Sequence, residues 1–135
     1  MADRDLTSIA EARALAQRAK KAWLELAEFS QEKIDAIVDA MAAAATPQAE
    51  AFARMAVEET GYGVVADKIR KNLFASETIY KFIRPMKTVG VVARHEDTRV
   101  IEIAEPFGVV AGIVPTTNPT STAIYKILIA IKARC

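Results

Sequence analysis

The chain has 135 residues, enough for one ordinary domain and too few for a complete two-domain enzyme. Its 18 Lys and Arg residues offset 17 Asp and Glu residues to a net charge of +1, and the two signs are interspersed, which argues against a nucleic-acid binder with a basic face. Acidic residues near the amino terminus and the lack of a long apolar stretch lead us to expect no secretory signal and no membrane span. The one cysteine, Cys135, allows no intrachain disulfide or cysteine-based metal site, which favours the cytoplasm.

The first two helices are predicted from their caps and from apolar residues at helical spacing. Ser8 followed by Glu11 has the pattern of a capping box, which predicts a surface helix with one buried stripe. Ser30 is a good N-cap for a second helix. The expected buried stripes are Ile9, Ala12, Ala16, Ala19, Trp23 and Leu26 in the first helix, and Ile34, Ile37, Val38, Met41 and Ala42 in the second.

Two further helices are expected before residue 85. Thr46 and Pro47 suit the N-cap and first position of a third helix, which ends at Gly61. A fourth helix is predicted from about residue 64 to residue 82, and Pro85 ends it. The expected inward-facing side chains are Phe52, Met55 and Ala56 in the third helix, and Ile69, Leu73, Tyr80 and Ile83 in the fourth.

After Pro85 the apolar period changes to that of strands. The segments TVGVVAR and TRVIEIAE are rich in β-branched residues and flank the polar HED, which predicts a β-hairpin. The apolar run FGVVAGIVP suits a central parallel strand covered on both faces. Helical spacing resumes at Ile124, Ile127, Leu128 and Ile131, so this part has the strand, loop and helix of an α/β unit.

The loop between that strand and that helix is the candidate ligand site, because ligands of open α/β sheets bind beyond the carboxyl ends of the strands. The loop also precedes a helix start, which suits an anion. The same residue types are common turn formers and N-caps, and no GxGxxG is present, so spacing alone leaves both interpretations open. The hydrogen-bonding side chains of the loop are Thr116, Thr117, Asn118, Thr120, Ser121 and Thr122.

Four residues outside the loop have side chains that could take part in catalysis, but the sequence around them gives little reason to expect it. His95 stands in the predicted hairpin turn, and Glu58 and Glu59 stand near a helix end, where solvated surface positions explain all three. Cys135 has the type of a nucleophile, but no base lies near it in the sequence. We therefore predict no metal site and no catalytic role for these four residues.

Two stretches of the sequence resemble CoA-acylating aldehyde dehydrogenases. IAEPFGVVAGIVPTTNPTSTAIYKILIAIKAR resembles the first nucleotide-binding strand and helix of that family, and MAVEETGYGVVADKIRKNLFASETIYKFI resembles a region upstream. The resemblance implies an α/β fold, the amino-terminal part of a Rossmann-type NAD(P)-binding domain. It implies amino-terminal helices over residues 1–84, an oligomerisation hairpin over residues 85–105, and the first nucleotide-binding strand and helix over residues 106–135.

The reaction implied by the resemblance converts an aldehyde, CoA and NAD(P)+ into an acyl-CoA and NAD(P)H through a thioester on a cysteine. The implied cofactor is NAD or NADP, CoA is a co-substrate, no metal is required, and the enzyme is expected to be a homo-oligomer. In this family the cysteine nucleophile lies beyond residue 135, so we expect an inactive amino-terminal fragment. The alternative is a non-catalytic module that oligomerises through its helices and hairpin.

The resemblance also implies roles for the loop residues. In the wider superfamily, an asparagine in a proline-bounded motif donates to the oxyanion that forms when the thiolate attacks the aldehyde. Counted from Pro115, Thr117 fills that place here and Asn118 follows it, so we favour Asn118 as the donor, with Thr117 as the alternative. The residues implied to line the nicotinamide and its ribose are Ile113, Val114, Pro115, Thr116 and Thr117.

Overall fold

The computed structural model describes residues 3–135, so the first two residues of the predicted helical unit lie outside the described part. Its helices pack around a central helix and a single β-hairpin projects from them, and within residues 3–135 no helix is long and apolar enough to cross a membrane. The elements in chain order are α1 (Arg4–Leu26), α2 (Gln31–Ala45), a 3-10 turn (Thr46–Gln48), α3 (Ala49–Thr60), α4 (Val65–Leu73), a π-helical segment (Phe74–Ile79), α5 (Tyr80–Ile83), β1 (Gly90–His95), β2 (Val100–Ala104) and α6 (Pro119–Lys132).

Helix α1 begins earlier and is more exposed than its sequence predicts. Asp3 caps the helix by accepting a hydrogen bond from the Asp5 backbone N–H at 3.1 Å. The capping box predicted at Ser8 and Glu11 is therefore wrong, because both residues lie inside the helix. The predicted buried stripe is wrong in the first half of α1, where Ile9 is 52% exposed. It holds in part at the end of the helix, where Trp23 and Leu26 are half-buried and Leu26 packs against the core.

Helix α2 forms the centre of the core, as its apolar spacing predicts. The Ser30 hydroxyl accepts a hydrogen bond from the Lys33 N–H at 3.3 Å, which confirms the predicted N-cap. Apolar residues at this spacing share one face of the helix, and burial of each large side chain contributes about 1.5–3 kcal/mol. The core cluster joins α2 to α5 and α6 and consists of Ile34, Val38, Ala42, Ile83 and Leu128.

Helix α3 ends at Gly61, as predicted. Gly61 has φ +69°, a left-handed conformation that glycine adopts without steric strain. The inward position predicted for Met55 is wrong, because this side chain is 56% exposed. The inward position predicted for Ala56 is confirmed, and the buried face of α3 consists of small residues such as Ala53 and Ala56, which allow α4 to approach closely.

The predicted fourth helix is continuous from α4 to α5, but its middle is π-helical. The most buried side chains of α4 are polar: Lys68 is 4% exposed and Asn72 is 1% exposed. Ile69 and Leu73, predicted for the buried side, are only half-buried. Because buried polar groups need hydrogen-bond partners, Lys68 and Asn72 must find theirs inside the fold.

The predicted β-hairpin is confirmed. Strands β1 and β2 pair antiparallel, with Gly90 opposite Ala104, and β1 contains one register irregularity. The apolar side chains of β2 are not covered: Ile101 is 51% exposed and Ile103 is 59% exposed. The hairpin therefore presents an apolar surface rather than contributing to the core.

The predicted central strand over residues 107–114 is wrong for the chain as described. A strand needs a hydrogen-bonded neighbour, and within residues 3–135 the sheet contains β1 and β2 alone. The segment is correspondingly exposed, with Val110 at 57% and Ile113 at 86%. The helix predicted after it is confirmed as α6, which buries Leu128 in the core.

Candidate active site

The candidate loop, residues 115–118, stands at the amino terminus of α6. Pro119 occupies the first helical turn, where its missing N–H costs no hydrogen bond. Asn118 is the N-cap residue, and its backbone N–H donates to the Pro115 carbonyl at 3.3 Å. The Asn118 carbonyl accepts from the Thr122 N–H at 3.3 Å, so the loop is continuous with the first turn of the helix.

Helix α4 holds this loop through two lysine side chains. The Lys68 ammonium donates to the backbone carbonyl of Thr117 at 2.8 Å, and the Lys71 ammonium donates to Asn118 Oδ1 at 2.9 Å. Among the residues that the structure describes, no Asp or Glu forms an ion pair with Lys68, although this lysine is buried. The loop carbonyl is therefore an essential part of the environment that compensates the buried charge.

Asn72 extends the same contact surface to the start of α6. Its amide Nδ2 donates to the Ala49 carbonyl at 2.9 Å, and its Oδ1 accepts from the Thr120 hydroxyl at 2.8 Å. Positions 71 and 72 lie three and four residues after position 68, which places the three side chains on one side of α4. This side of α4 fixes both the loop and the first turn of α6.

The side-chain amide of Asn118 has a defined orientation. An ammonium group has only donors, so the amide atom facing Lys71 must be the oxygen. The amide nitrogen is left with a long contact of 3.4 Å to the Thr117 hydroxyl and retains capacity to donate to another acceptor. Asn118 is half-buried and Thr117 is exposed, so both predicted donor residues lie at an accessible surface.

The residues predicted to line the cofactor also lie at this surface. Ile113 and Val114 are exposed at 86% and 47%, and the three residues that follow them are exposed as well. Beside the loop, an open groove of about 610 Å³ runs between α4 and α6, and Lys71, Phe74 and Tyr125 are among its lining residues. Lys71 thus both borders the groove and holds Asn118.

Cys135 lies at the opposite end of α6 from the loop. A helix of 14 residues is about 21 Å long, so the thiol is far outside contact distance of Asn118. Its Sγ lies 3.5 Å from the Ala133 carbonyl. This geometry separates the chain's only thiol from the predicted oxyanion donor.

The remaining candidates are not brought to the loop. His95 contacts Glu102 across the hairpin, with 2.7 Å between Nε2 and Oε1, and Glu58 and Glu59 are exposed in the last turn of α3. Within residues 3–135, no group of three or more His, Cys, Asp or Glu side chains is placed to hold a metal ion. The loop is therefore the site at which the predicted residues converge.

A partly buried charge network lies at the carboxyl end of α6. Lys132 donates to Asp35 at 2.5 Å, and the Arg84 guanidinium contacts both Asp35 and Asp39. The hydrogen bond from Arg84 lowers the pKa of Asp39, and the hydrogen bond to Asp39 raises the pKa of Tyr80. Because opposite charges are paired at hydrogen-bond distance, the network connects α2, the end of α5 and α6, and its groups are occupied by one another.

Comparison with known proteins places this geometry in a family context. The family model described as "Aldehyde dehydrogenase family" matches residues 1–135. The bifunctional aldehyde-alcohol dehydrogenase AdhE of Escherichia coli K12 is 51% identical over 129 residues, which cover 96% of this chain and 14% of that protein. The acetylating succinate-semialdehyde dehydrogenase of Clostridium kluyveri is 39% identical over 120 residues, which cover 89% of this chain and 26% of that protein.

A solved structure agrees with the fold in detail. The acetylating aldehyde dehydrogenase from Geobacillus thermoglucosidasius superposes with a TM-score of 0.95 and 54% identity, covering 99% of this chain and 30% of that chain. This match confirms the predicted fold class, the α/β amino-terminal part of an aldehyde-dehydrogenase-like domain with amino-terminal helices and a hairpin. The chain spans less than a third of the length of each of these relatives, at 14%, 26% and 30%.

Proposed function

Because this chain belongs to the aldehyde dehydrogenase family, we propose that it is the part of a CoA-acylating aldehyde dehydrogenase that supplies the oxyanion donor. The reaction converts an aldehyde, CoA and NAD(P)+ into an acyl-CoA and NAD(P)H. The names of the acylating relatives support this reaction class.

Asn118 stabilises the negative charge that develops on the aldehyde oxygen. A cysteine thiolate from outside this chain forms a bond to the carbonyl carbon, and the carbonyl π electrons move onto the oxygen. NAD(P)+ supplies the hydride acceptor, and the CoA thiol then takes the acyl group from the cysteine. The observation that carries this role is the amide orientation: Lys71 holds Oδ1, so the Nδ2–H bonds of Asn118 are available to the oxyanion.

The cofactor contacts follow from the same loop. We place the nicotinamide and its ribose against the residues that precede Asn118, which are exposed. No step in this reaction requires a metal ion. The residues proposed for this contact are Ile113, Val114, Pro115, Thr116 and Thr117.

The test of the donor uses a full-length enzyme that carries these 135 residues as its amino-terminal part. Asn118→Ala should lower kcat about a hundredfold, the usual cost of removing one oxyanion donor, with little change in the affinity for NAD(P)+. Thr117→Val is the matched variant, because it removes the alternative polar side chain of the same loop. An unchanged kcat in Asn118→Ala with a large loss in Thr117→Val would transfer the role to Thr117.

The 135-residue chain alone is proposed to be inactive. Its only thiol, Cys135, lies at the far end of α6 from Asn118, so the nucleophile and the donor do not meet on one aldehyde. The purified chain, mixed with acetaldehyde, CoA and NAD+ or NADP+, should produce no absorbance at 340 nm. Sustained turnover that survives repeated purification would refute this proposal.

A second function, self-association through the hairpin, is supported by the exposed apolar side chains of β2. Ile101 and Ile103 are more than half exposed on the same strand, and neighbouring exposed apolar side chains are typical of a protein–protein interface. Replacing both with Ser should shift the chain towards monomers in sedimentation velocity. Leu15→Ser is the control, because Leu15 is 60% exposed on α1; equal loss of association in this variant would remove the hairpin from the contact.

A further inference from the structure

We infer that Lys68 and Lys71 are positioning residues that orient Asn118 for oxyanion binding. This inference rests on the proposed role of Asn118 and extends it to a helix that lies 47 residues earlier in the sequence. Neither lysine touches the reacting atoms. Both act through the loop that they hold.

Lys71 selects one of the two orientations of the Asn118 amide. With Oδ1 at 2.9 Å from the ammonium, the amide presents its nitrogen away from Lys71. The flipped amide would set two groups of donors against each other, which costs a hydrogen bond and adds repulsion. The contact also polarises the amide, which strengthens its N–H bonds as donors.

Lys68 fixes the peptide group that precedes Asn118. Lys68 is 4% exposed, and its ammonium donates to the Thr117 carbonyl at 2.8 Å. A buried charge is stable only while its hydrogen-bond partners stay in place, so the loop conformation that offers this carbonyl is favoured over others. Because the peptide unit is planar, holding the carbonyl of residue 117 also fixes the backbone N–H and the Cα direction of residue 118.

The experiment mutates Lys71 rather than Lys68, because Lys71 is exposed whereas Lys68 is buried. Lys71 is exposed, so Lys71→Met keeps the aliphatic stem and leaves the fold intact. In the full-length enzyme this variant should lower kcat about tenfold, while the KM for NAD(P)+ and the unfolding midpoint stay near the values of the parent. Lys71→Arg should recover most of the rate, because a guanidinium also has donors only.

The coupling between Lys71 and Asn118 distinguishes positioning from an independent effect. If Lys71 acts through Asn118, Lys71→Met should change kcat less than about twofold when Asn118→Ala is already present. Lys81→Met serves as the matched control, because the Lys81 side chain is 73% exposed and its ammonium lies 3.9 Å from the Glu77 carboxylate, away from the loop. That variant should leave kcat unchanged in both backgrounds.

The two single variants and the double variant form a double-mutant cycle, and each of its outcomes supports or overturns either the positioning role of Lys71 or the donor role of Asn118. A tenfold loss in Lys71→Met that disappears in the Asn118→Ala background supports the inference. Equal losses in both backgrounds, or no loss in Lys71→Met while Asn118→Ala is slow, overturn the inference and leave the proposed function standing. An unchanged kcat in Asn118→Ala overturns the proposed donor itself, and the positioning roles fall with it.

Discussion

Lys132→Met tests whether the partly buried network at the end of α6 stabilises the chain. The Lys132 side chain is 3% exposed, and its ammonium donates to Asp35 Oδ1 at 2.5 Å and to the Arg84 carbonyl at 2.9 Å. Methionine keeps a flexible chain of similar length and removes both hydrogen bonds. Asp35 retains two partners, because Arg84 and Gln31 also donate to it.

The expected cost follows from what is lost and what remains. The hydrogen bond between two charged groups contributes about 2 kcal/mol, and the bond to the carbonyl contributes about 1 kcal/mol. Replacing a desolvated ammonium with an apolar group returns about 1 kcal/mol. The net loss is therefore about 2 kcal/mol, which lowers the melting temperature of a chain of this size by about 7 °C.

Thermal unfolding followed by circular dichroism at 222 nm measures this difference. Lys81→Met is the control, because it removes an exposed i,i+4 pair with 3.9 Å between its charged atoms, and its melting temperature should stay within about 1 °C of the parent. A melting temperature of Lys132→Met equal to that of Lys81→Met would refute the assigned role of the network. It would mean that desolvation of Lys132 costs as much as its contacts contribute.

Two further predictions concern a turn glycine and an acidic side chain. Gly63→Ala and Gly61→Ala each strain a positive φ, at +79° and +69°, and should each cost about 1–2 kcal/mol in thermal unfolding. The methyl group of Gly63→Ala would lie 3.3 Å from Lys68 Cε, whereas nothing lies within 4 Å of the one in Gly61→Ala. Because Lys68 holds the loop, only Gly63→Ala should lower kcat of the full-length enzyme, and equal kcat values in the two variants would contradict this. The hydrogen bond from Arg84 lowers the folded pKa of Asp39, so its contribution to stability is present at neutral pH and is lost as the pH falls below about 4 through the folded pKa. In melting temperatures measured from pH 7 to pH 3, the deficit of Asp39→Asn should shrink with acidification, and a constant deficit would exclude this linkage.

Local signals in the sequence predicted the elements whose causes are themselves local. Ser30 caps α2 because its hydroxyl reaches an N–H three residues later, and Gly61 ends α3 because it adopts a positive φ. The hairpin follows from two β-branched segments around a polar turn, and Pro119 begins α6. Each of these features depends on a few neighbouring residues, which a single sequence contains.

Apolar periodicity predicted which side chains face a partner but not where the partner lies. The spacing in α1 and the run over residues 107–114 both indicate buried surfaces, yet Ile9 and Ile113 are exposed. Within residues 3–135 no second strand pairs with the run, and the stripe of α1 packs against the core at its end, through Leu26, while its first half stays exposed. Periodicity specifies an interface, whereas burial also requires the other half of it.

The sequence predicted the loop of the candidate site but not the α4 side chains that contact the loop. The loop residues carry a recognisable pattern, but Lys68 and Lys71 look like ordinary surface lysines of a helix. The sequence does contain one sign of these contacts: positions 68, 71 and 72 place polar side chains on one side of a helix that also has an apolar stripe at Val65, Ile69 and Leu73. Its meaning depends on contacts 47 to 49 residues away, which sequence spacing alone does not reveal.

The two ends of α6 are anchored by different chemistry, which separates function from stability. Just before its first residue, the helix is held by the Thr117 carbonyl and the Asn118 amide oxygen, which accept from lysines of α4, and we infer that these contacts set the direction of Asn118. At its last residue it is held by the charge pair of Lys132 with Asp35, about 21 Å away. Because contacts so far apart share no partner, their mutational effects should add. Lys71→Met should therefore change the rate with little change in melting temperature, and Lys132→Met should do the reverse.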